Sequence, residues 1–237
     1  MKRLGSGLPL ILTALVAVAC APSRGFADDD VPGEAYRAIV RSTMTTRSPG
    51  DTLGNGLYAS ARAAFYAGEL DSAMARAQRF TQSYMRNLSM NEALEMILLW
   101  RGYRDFDDQP LKAYARVLAL REAGRSDSAA ALARTTLARW PGARVRYHLH
   151  YQLAELAKER GDHALALTHA LAVADSSSHS RLAPAALDLA GDEALASGQG
   201  AEKALHLYQD LLERFPESPL ATTVRVKVFD LRKKLQL

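Results

Sequence analysis

The 237-residue sequence predicts an all-α protein, a solenoid of helical hairpins that is closed by a C-terminal capping helix. Three observations predict this fold. After Gly56 the apolar residues recur at helical spacing, and no segment alternates with the period of two that a half-buried strand requires. Alanine is frequent from Ala59 to Ala204, as expected where helices pack closely together. Glycine recurs between the predicted helices, where it can end one helix and begin a tight turn.

The N-terminus has the pattern of an export signal. Lys2 and Arg3 precede an apolar run over Leu8–Ala19, which predicts a signal peptide at residues 1–19. This run is shorter than the roughly 20 apolar residues that a membrane-spanning helix needs. It ends at Cys20, the single cysteine of the chain, so Cys20 has no partner for an intramolecular disulfide.

The segment Ala17-Val18-Ala19-Cys20 resembles the lipobox of bacterial lipoproteins. The resemblance implies that Cys20 becomes the first mature residue and bears a lipid that anchors the protein to a membrane. In lipoproteins of this kind, an aspartate directly after the lipidated cysteine retains the protein at the inner membrane. Residue 21 is alanine, so the resemblance also implies an outer-membrane lipoprotein that faces the periplasm. The alternative is ordinary cleavage after Ala27, which would release a secreted, soluble chain.

Residues 20–53 are predicted to form a flexible tether. The segment is rich in Pro, Gly, Ser, Thr and Asp, and such a composition favours a linker over a packed core. A short helix at residues 33–46 is possible, because Tyr36, Ile39, Val40 and Met44 would share one face.

Residues 54–237 are predicted to form the helical repeats. Three glycines, Gly68, Gly124 and Gly161, are each followed by an alanine five residues later, and Gly198 is followed by one six residues later. The glycines are 56, 37 and 37 residues apart, which is close to the length of a helical-hairpin repeat except at the first interval. An additional amphipathic helix from Asn91 to about Arg104 accounts for the longer interval.

The last repeat carries the most specific motif. Leu187-x-x-Ala190-Gly191-x-x-Ala194 is followed by Ala204-x-x-x-Tyr208 and then by Pro216. This pattern resembles the tetratricopeptide repeat, a helix-turn-helix unit of 34 residues with small residues where its two helices cross. The resemblance covers about residues 54–236 and implies a TPR-like solenoid whose first helices line a groove. The segment Phe215–Pro219 also resembles the corresponding sequence of periplasmic lipoproteins of this family.

A final helix is predicted after Pro219, with Val224, Val228 and Leu231 directed inward. Its outward residues are expected to be polar, as the exposed end of a solenoid requires. They are Arg225, Lys227, Arg232 and Lys233.

Composition and spacing argue against catalysis. The six histidines include no i, i+4 pair and no H-E-x-x-H motif, so the sequence predicts no metal site and no cofactor, and the histidines are expected at the surface or at helix caps. No G-x-S-x-G or phosphate-binding loop is present. The net charge of +4 is small and forms no dense basic stripe, which gives no indication of nucleic-acid binding. The sequence therefore predicts a protein that is not an enzyme.

The groove of the solenoid is the predicted binding site. Counting back ten residues from each repeat glycine gives Tyr58, Tyr114, Tyr151 and Asp188, and three tyrosines in register suit a peptide-binding surface. The same tyrosines could instead pack between adjacent helices. The other predicted groove residues are Arg62, Arg121, Lys158 and Asp192.

Together these features predict a lipid-anchored, protein-binding scaffold or adaptor of the bacterial cell envelope. The expected partner is a peptide or another protein in the groove. The alternative is a structural protein that self-associates through its helices, in which case the groove would hold no ligand and the mass in solution would depend on concentration.

Overall fold

The computed structural model describes residues 52–104, 107–175 and 181–236. Within these ranges the chain forms ten α-helices and no strand, which confirms the predicted all-α class. The helices are α1 (Thr52–Tyr66), α2 (Leu70–Ser83), α3 (Met90–Tyr103), α4 (Gln109–Glu122), α5 (Ser126–Arg139), α6 (Arg146–Glu159), α7 (His163–Ala174), α8 (Ala183–Ala196), α9 (Ala201–Arg214) and α10 (Ala221–Leu235). The predicted signal peptide, the short helix at residues 33–46 and all but the end of the tether lie outside the described residues.

Four turns between helices have the same glycine geometry. Gly68, Gly124, Gly161 and Gly198 have φ between 71° and 77°, a left-handed conformation that costs glycine little because it has no Cβ. After each glycine, the next backbone N–H donates to the carbonyl five residues earlier, as Glu69 does to Ala64 at 2.9 Å. This bond is typical of a Schellman motif, which satisfies a carbonyl at the helix end. The predicted repeat glycines are confirmed.

Apart from α3 and α4, consecutive helices pack against each other, so the described residues form a helical-hairpin solenoid. The additional helix lies where it was predicted, at α3. It packs on α2, whereas α4 packs on both α1 and α5. Helix α3 therefore lies beside the stack of hairpins, and α1 and α4 are direct neighbours.

The crossing of α8 and α9 shows why the repeats need small residues. A Cβ added at Gly191 would lie 2.3 Å from Cε1 of Tyr208, so no larger residue fits without a shift of the ring. Tyr208 is 1% exposed, and its hydroxyl donates to Asp192 at 2.6 Å. The predicted motif thus corresponds to a close contact between a glycine and an aromatic ring.

Helix α10 closes the C-terminal end of the described solenoid. Val224, Val228 and Leu231 are buried, as predicted. Lys227 differs from the prediction: its side chain is only 27% exposed, and its Nζ lies 2.7 Å from both Asp188 and Asp192 of α8. The outward face of α10 is also less polar than predicted, because Val226 and Phe229 are exposed on it.

Candidate functional site

A cavity of about 750 Å³ lies between α1, α3, α4 and α6, next to residues 181 and 182. Its volume is within the range of small-ligand and side-chain binding clefts. Seven of its eighteen lining residues carry an aromatic ring, and Met96, Leu98 and Leu99 of α3 add apolar surface. The lining aromatic residues, apart from a histidine, are Tyr58, Phe65, Tyr66, Tyr103, Tyr114 and Tyr151.

The three tyrosines that the sequence places in register all line this cavity. Tyr58 and Tyr114 are only 8% and 5% exposed, whereas Tyr151 is half-buried. The Tyr58 ring packs 5.5 Å from Phe80, and burial raises the pKa of Tyr114 above its ordinary value. Tyr58 and Tyr114 therefore belong to both the helix packing and the cavity wall, and Tyr151 offers the most ring surface to a bound group.

Arg62 lies in the same wall but its charge is compensated. Its Nη2 donates to the Tyr66 hydroxyl at 2.8 Å and to the carboxylate of Glu122 on α4. The Tyr66 hydroxyl donates to the same carboxylate at 2.6 Å. Although burial alone would lower the pKa of Arg62, contact with Tyr66 and Glu122 raises it, so the guanidinium stays charged. The cluster connects α1 to α4 and fixes that side of the cavity.

The remaining predicted groove residues do not line the cavity. Arg121 of α4 donates to Gln152 at 2.8 Å and forms ion pairs with Glu155 and Glu159 of α6. Lys158 is exposed at the surface. Asp188 and Asp192 of α8 share Lys227 of α10. Ion pairs of this kind link one hairpin to the next, and each one reduces the net charge of the surface around it. Cys20 lies outside the described residues.

His148 is a cavity residue that the sequence reasoning missed. Its ring lies 4.3 Å from that of Tyr103 and 5.6 Å from that of Tyr114, measured between centroids. Its Nδ1 is buried and has no hydrogen-bond partner within the described part of the chain. Burial lowers the pKa of His148 to about 4, so the imidazole is neutral at pH 7. Its spacing from Tyr151, three residues on the same helix, is the signal that could have indicated a shared face.

The histidines correct a prediction, because several of them are not surface or capping residues. His148 is mostly buried, and the Nδ1 atoms of His150 and His169 lie 3.1 Å apart across α6 and α7. The Nδ1 of His163 lies 2.7 Å from the buried carboxylate of Glu193. Buried polar groups need such partners, and a helical pattern does not reveal them because they come from a neighbouring helix.

Helix α3 contributes a further wall of the cavity. Ala93 and Ile97 are buried against the first hairpin, and Leu99 and Tyr103 line the cavity. The described lining therefore presents aromatic faces, a neutral imidazole and the ion-paired Arg62, and it also includes the polar residues Glu92, Glu95, Gln152 and Arg181. Such a lining suits the binding of an organic group, and its polar atoms can fix that group's orientation.

In the described ranges, no group of three or more His, Cys, Asp or Glu side chains could hold a metal ion. Among the described helices, none has the length and apolar character needed to cross a membrane. Comparison of the chain with models of known protein families and with curated protein sequences gives no match.

Proposed function

We propose that this chain is a non-catalytic, tetratricopeptide-like scaffold that binds a peptide or another protein in the groove of its solenoid. The observation that supports the proposal is the common cavity of Tyr58, Tyr114 and Tyr151, which lie on α1, α4 and α6, the first helices of three hairpins. Tyrosine gives a large, rigid contact area at a low cost in conformational entropy, and its hydroxyl can also form a hydrogen bond. Rings of this kind are frequent among the residues that dominate protein interfaces.

The cavity would accept a side chain of the partner and not a whole element of it. A volume of about 750 Å³ is in the range of clefts that enclose a small organic ligand, and the rest of a bound segment would lie along the groove. His148 would supply a hydrogen-bonding nitrogen at the cavity wall, since its Nδ1 has no partner in the described residues. Filling the cavity would also satisfy this buried polar atom.

The proposal places the protein in the bacterial cell envelope, anchored by a lipid on Cys20. The support comes from the sequence: a basic start, an apolar run of limited length and a single cysteine at its end. Residues 21–51 would connect the anchor to the first described helix and would set the distance between the groove and the membrane. We place it at the outer membrane, facing the periplasm.

Site-specific photo-crosslinking in cells tests the binding proposal. A photoreactive phenylalanine analogue replaces Tyr151, the most exposed of the three register tyrosines, and in a matched control it replaces exposed Ala164 on α7. We expect a discrete protein adduct from position 151 and none from position 164. In a second pair of variants, Tyr151→Ala should lower capture of that partner at least tenfold, whereas Tyr151→Phe should retain most of it.

Tyr58 and Tyr114 are less suitable for alanine substitution because both are buried, and loss of a buried ring costs roughly 3–5 kcal/mol. Variants that keep the ring, Tyr58→Phe and Tyr114→Phe, test the hydroxyls without this loss.

Cys20→Ser tests the anchor separately, and we expect it to release the protein from membranes without loss of its helical circular-dichroism signal. Adducts with only a second copy of the chain, from both the anchored and the released forms, would support the self-associating alternative. Equal adducts from positions 151 and 164 would overturn the groove assignment.

A further inference from the structure

The outer face of α10 has an exposed apolar ridge. Val226 and Phe229, three residues apart and therefore neighbours on the helix surface, are 58% and 69% exposed. The opposite face packs on α9 through Val224, Val228 and Leu231. A helix that closes a solenoid normally presents a polar outer face, so a phenylalanine at this position needs an explanation.

Basic side chains surround this ridge. The exposed residues Arg225, Arg232, Lys233 and Lys234 have no ion pair within the described part of the chain, in contrast to Lys227, which is shared by Asp188 and Asp192. Asp230 is the one exposed acid in the sequence of α10. An occupant of this surface must therefore bring negative charge as well as an apolar layer.

A second copy of the chain does not meet this requirement. Arg225 and Arg232 are seven residues apart and lie on the same side of the ridge. Two antiparallel copies related by a two-fold axis bring like sides together, so Arg225 of one copy would face Arg232 of the other. Two apolar side chains are also far too few for the roughly 1,200 Å² that a stable protein interface buries.

We propose that the outer face of α10 is a docking surface for an anionic lipid bilayer. The basic side chains would lie among the headgroups, and Val226 and Phe229 would enter the boundary between headgroups and acyl chains. The affinity of so small a surface is low. In the cell the inference rests on the proposed lipid anchor at Cys20. The anchor would keep α10 close to the bilayer, and the resulting high effective concentration would compensate for the weak affinity of the surface. Docking would hold the solenoid in a fixed orientation relative to the bilayer.

Vesicle sedimentation tests this surface without the anchor. The mature chain from residue 20, with Cys20→Ser, is mixed with vesicles of phosphatidylcholine alone or with 30% phosphatidylglycerol. We expect binding to the anionic vesicles only, and a loss of binding as the salt concentration rises. Lys233→Glu/Lys234→Glu should lower the partition coefficient at least tenfold, because each basic residue near the surface contributes about 1 kcal/mol. Phe229→Ser should lower it severalfold at unchanged salt dependence.

The matched control is Arg79→Glu/Arg86→Glu, which makes the same change in charge at exposed positions of α2 and the loop after it. We expect this variant to bind anionic vesicles within a factor of about three of the parent, because α2 does not pack on α10 and salt screens charges that are distant from the bilayer. An equal loss in both double variants would show attraction by net charge alone and would overturn the proposal. Absence of binding by the parent would also overturn it and would favour an acidic protein as the occupant. The Cys20→Ser protein used in this assay carries no lipid, and the assay contains no groove ligand. The vesicle result is therefore independent of the proposed function.

Discussion

At the scale of single residues, His148 connects the cavity to the pH dependence of stability. The pKa of its imidazole is lowered from 6.5 to about 4 by burial, so the folded protein keeps this group neutral where the unfolded chain would bind a proton. Stability from this group is present in full above pH 6.5 and is lost as the pH falls towards 4. From pH 7 to pH 4.5 the loss amounts to about 2 kcal/mol in the free energy of unfolding.

Replacement of the titrating group isolates this effect. His148→Phe keeps a ring beside Tyr103 and Tyr114 but cannot be protonated. We expect urea denaturation at pH 7 and pH 4.5 to show a fall in stability that is smaller in the variant than in the parent by about 2 kcal/mol. A fall of the same size in both proteins would mean that other groups, among them His150 and His169, determine the acid sensitivity. Burial lowers the pKa of these two histidines as well.

The sequence predicted individual residues of the cavity only in part. Counting from the repeat glycines found Tyr58, Tyr114 and Tyr151, because helices of similar length place equivalent positions on one side of the solenoid. The same count also selected Asp188, which pairs with Lys227 outside the cavity. Asp188 differs from the three tyrosines because it pairs with Lys227 of α10. The contact between α10 and α8 follows from three-dimensional packing, which the repeat period does not predict.

At the scale of secondary-structure elements, the crossing of α8 and α9 depends on Gly191. A methyl group at this position would overlap the ring of Tyr208, which is held by its buried surroundings and by Asp192. We expect Gly191→Ala to destabilise the protein by about 2–3 kcal/mol, since overpacking of a well-filled contact forces side chains and backbone to shift. Thermal and chemical denaturation would measure the loss.

Gly102 of α3 offers the matched control. It is also a helical glycine, but a Cβ added to it meets no atom within 4 Å. Gly102→Ala should therefore stabilise the protein by about 0.5–1 kcal/mol, through the higher helix propensity of alanine. If both substitutions changed stability in the same direction, the contact with Tyr208 would not be the determining difference.

Helix boundaries were more predictable than helix placement. Glycines with left-handed φ mark four helix ends, and these signals lie within a few residues of the boundary they determine. The existence of α3 also followed from its amphipathic pattern. Its position beside the stack did not, because Ala93 and Ile97 show that one face is buried without indicating which helix covers it.

At the scale of the whole molecule, the described buried residues form clusters of different size. One large cluster of buried residues extends from Ala154 in α6 to Leu231 in α10. In the first three helices one small cluster surrounds Met74 and Ile97 and another surrounds Tyr58 and Phe80, while the buried Phe65 and Leu70 belong to neither. In a solenoid each hairpin is stabilised mainly by its neighbours, so a difference in local packing becomes a difference in local stability.

We therefore expect native-state hydrogen exchange to divide the chain into two regions. Amides of α7–α9 should exchange only through global unfolding, whereas those of α1–α3 should exchange through a partial opening of lower free energy. Ile97→Ala should lower the opening free energy of α1–α3 by roughly 2–4 kcal/mol and leave α7–α9 unchanged, while Leu187→Ala in α8 should lower protection in α7–α9. Because α1 and α3 form two walls of the cavity, such an opening would admit a bound side chain without unfolding the rest of the solenoid. Equal loss of protection throughout the chain in the Ile97→Ala variant would contradict this expectation, since it would mean that the ten described helices unfold as one cooperative unit.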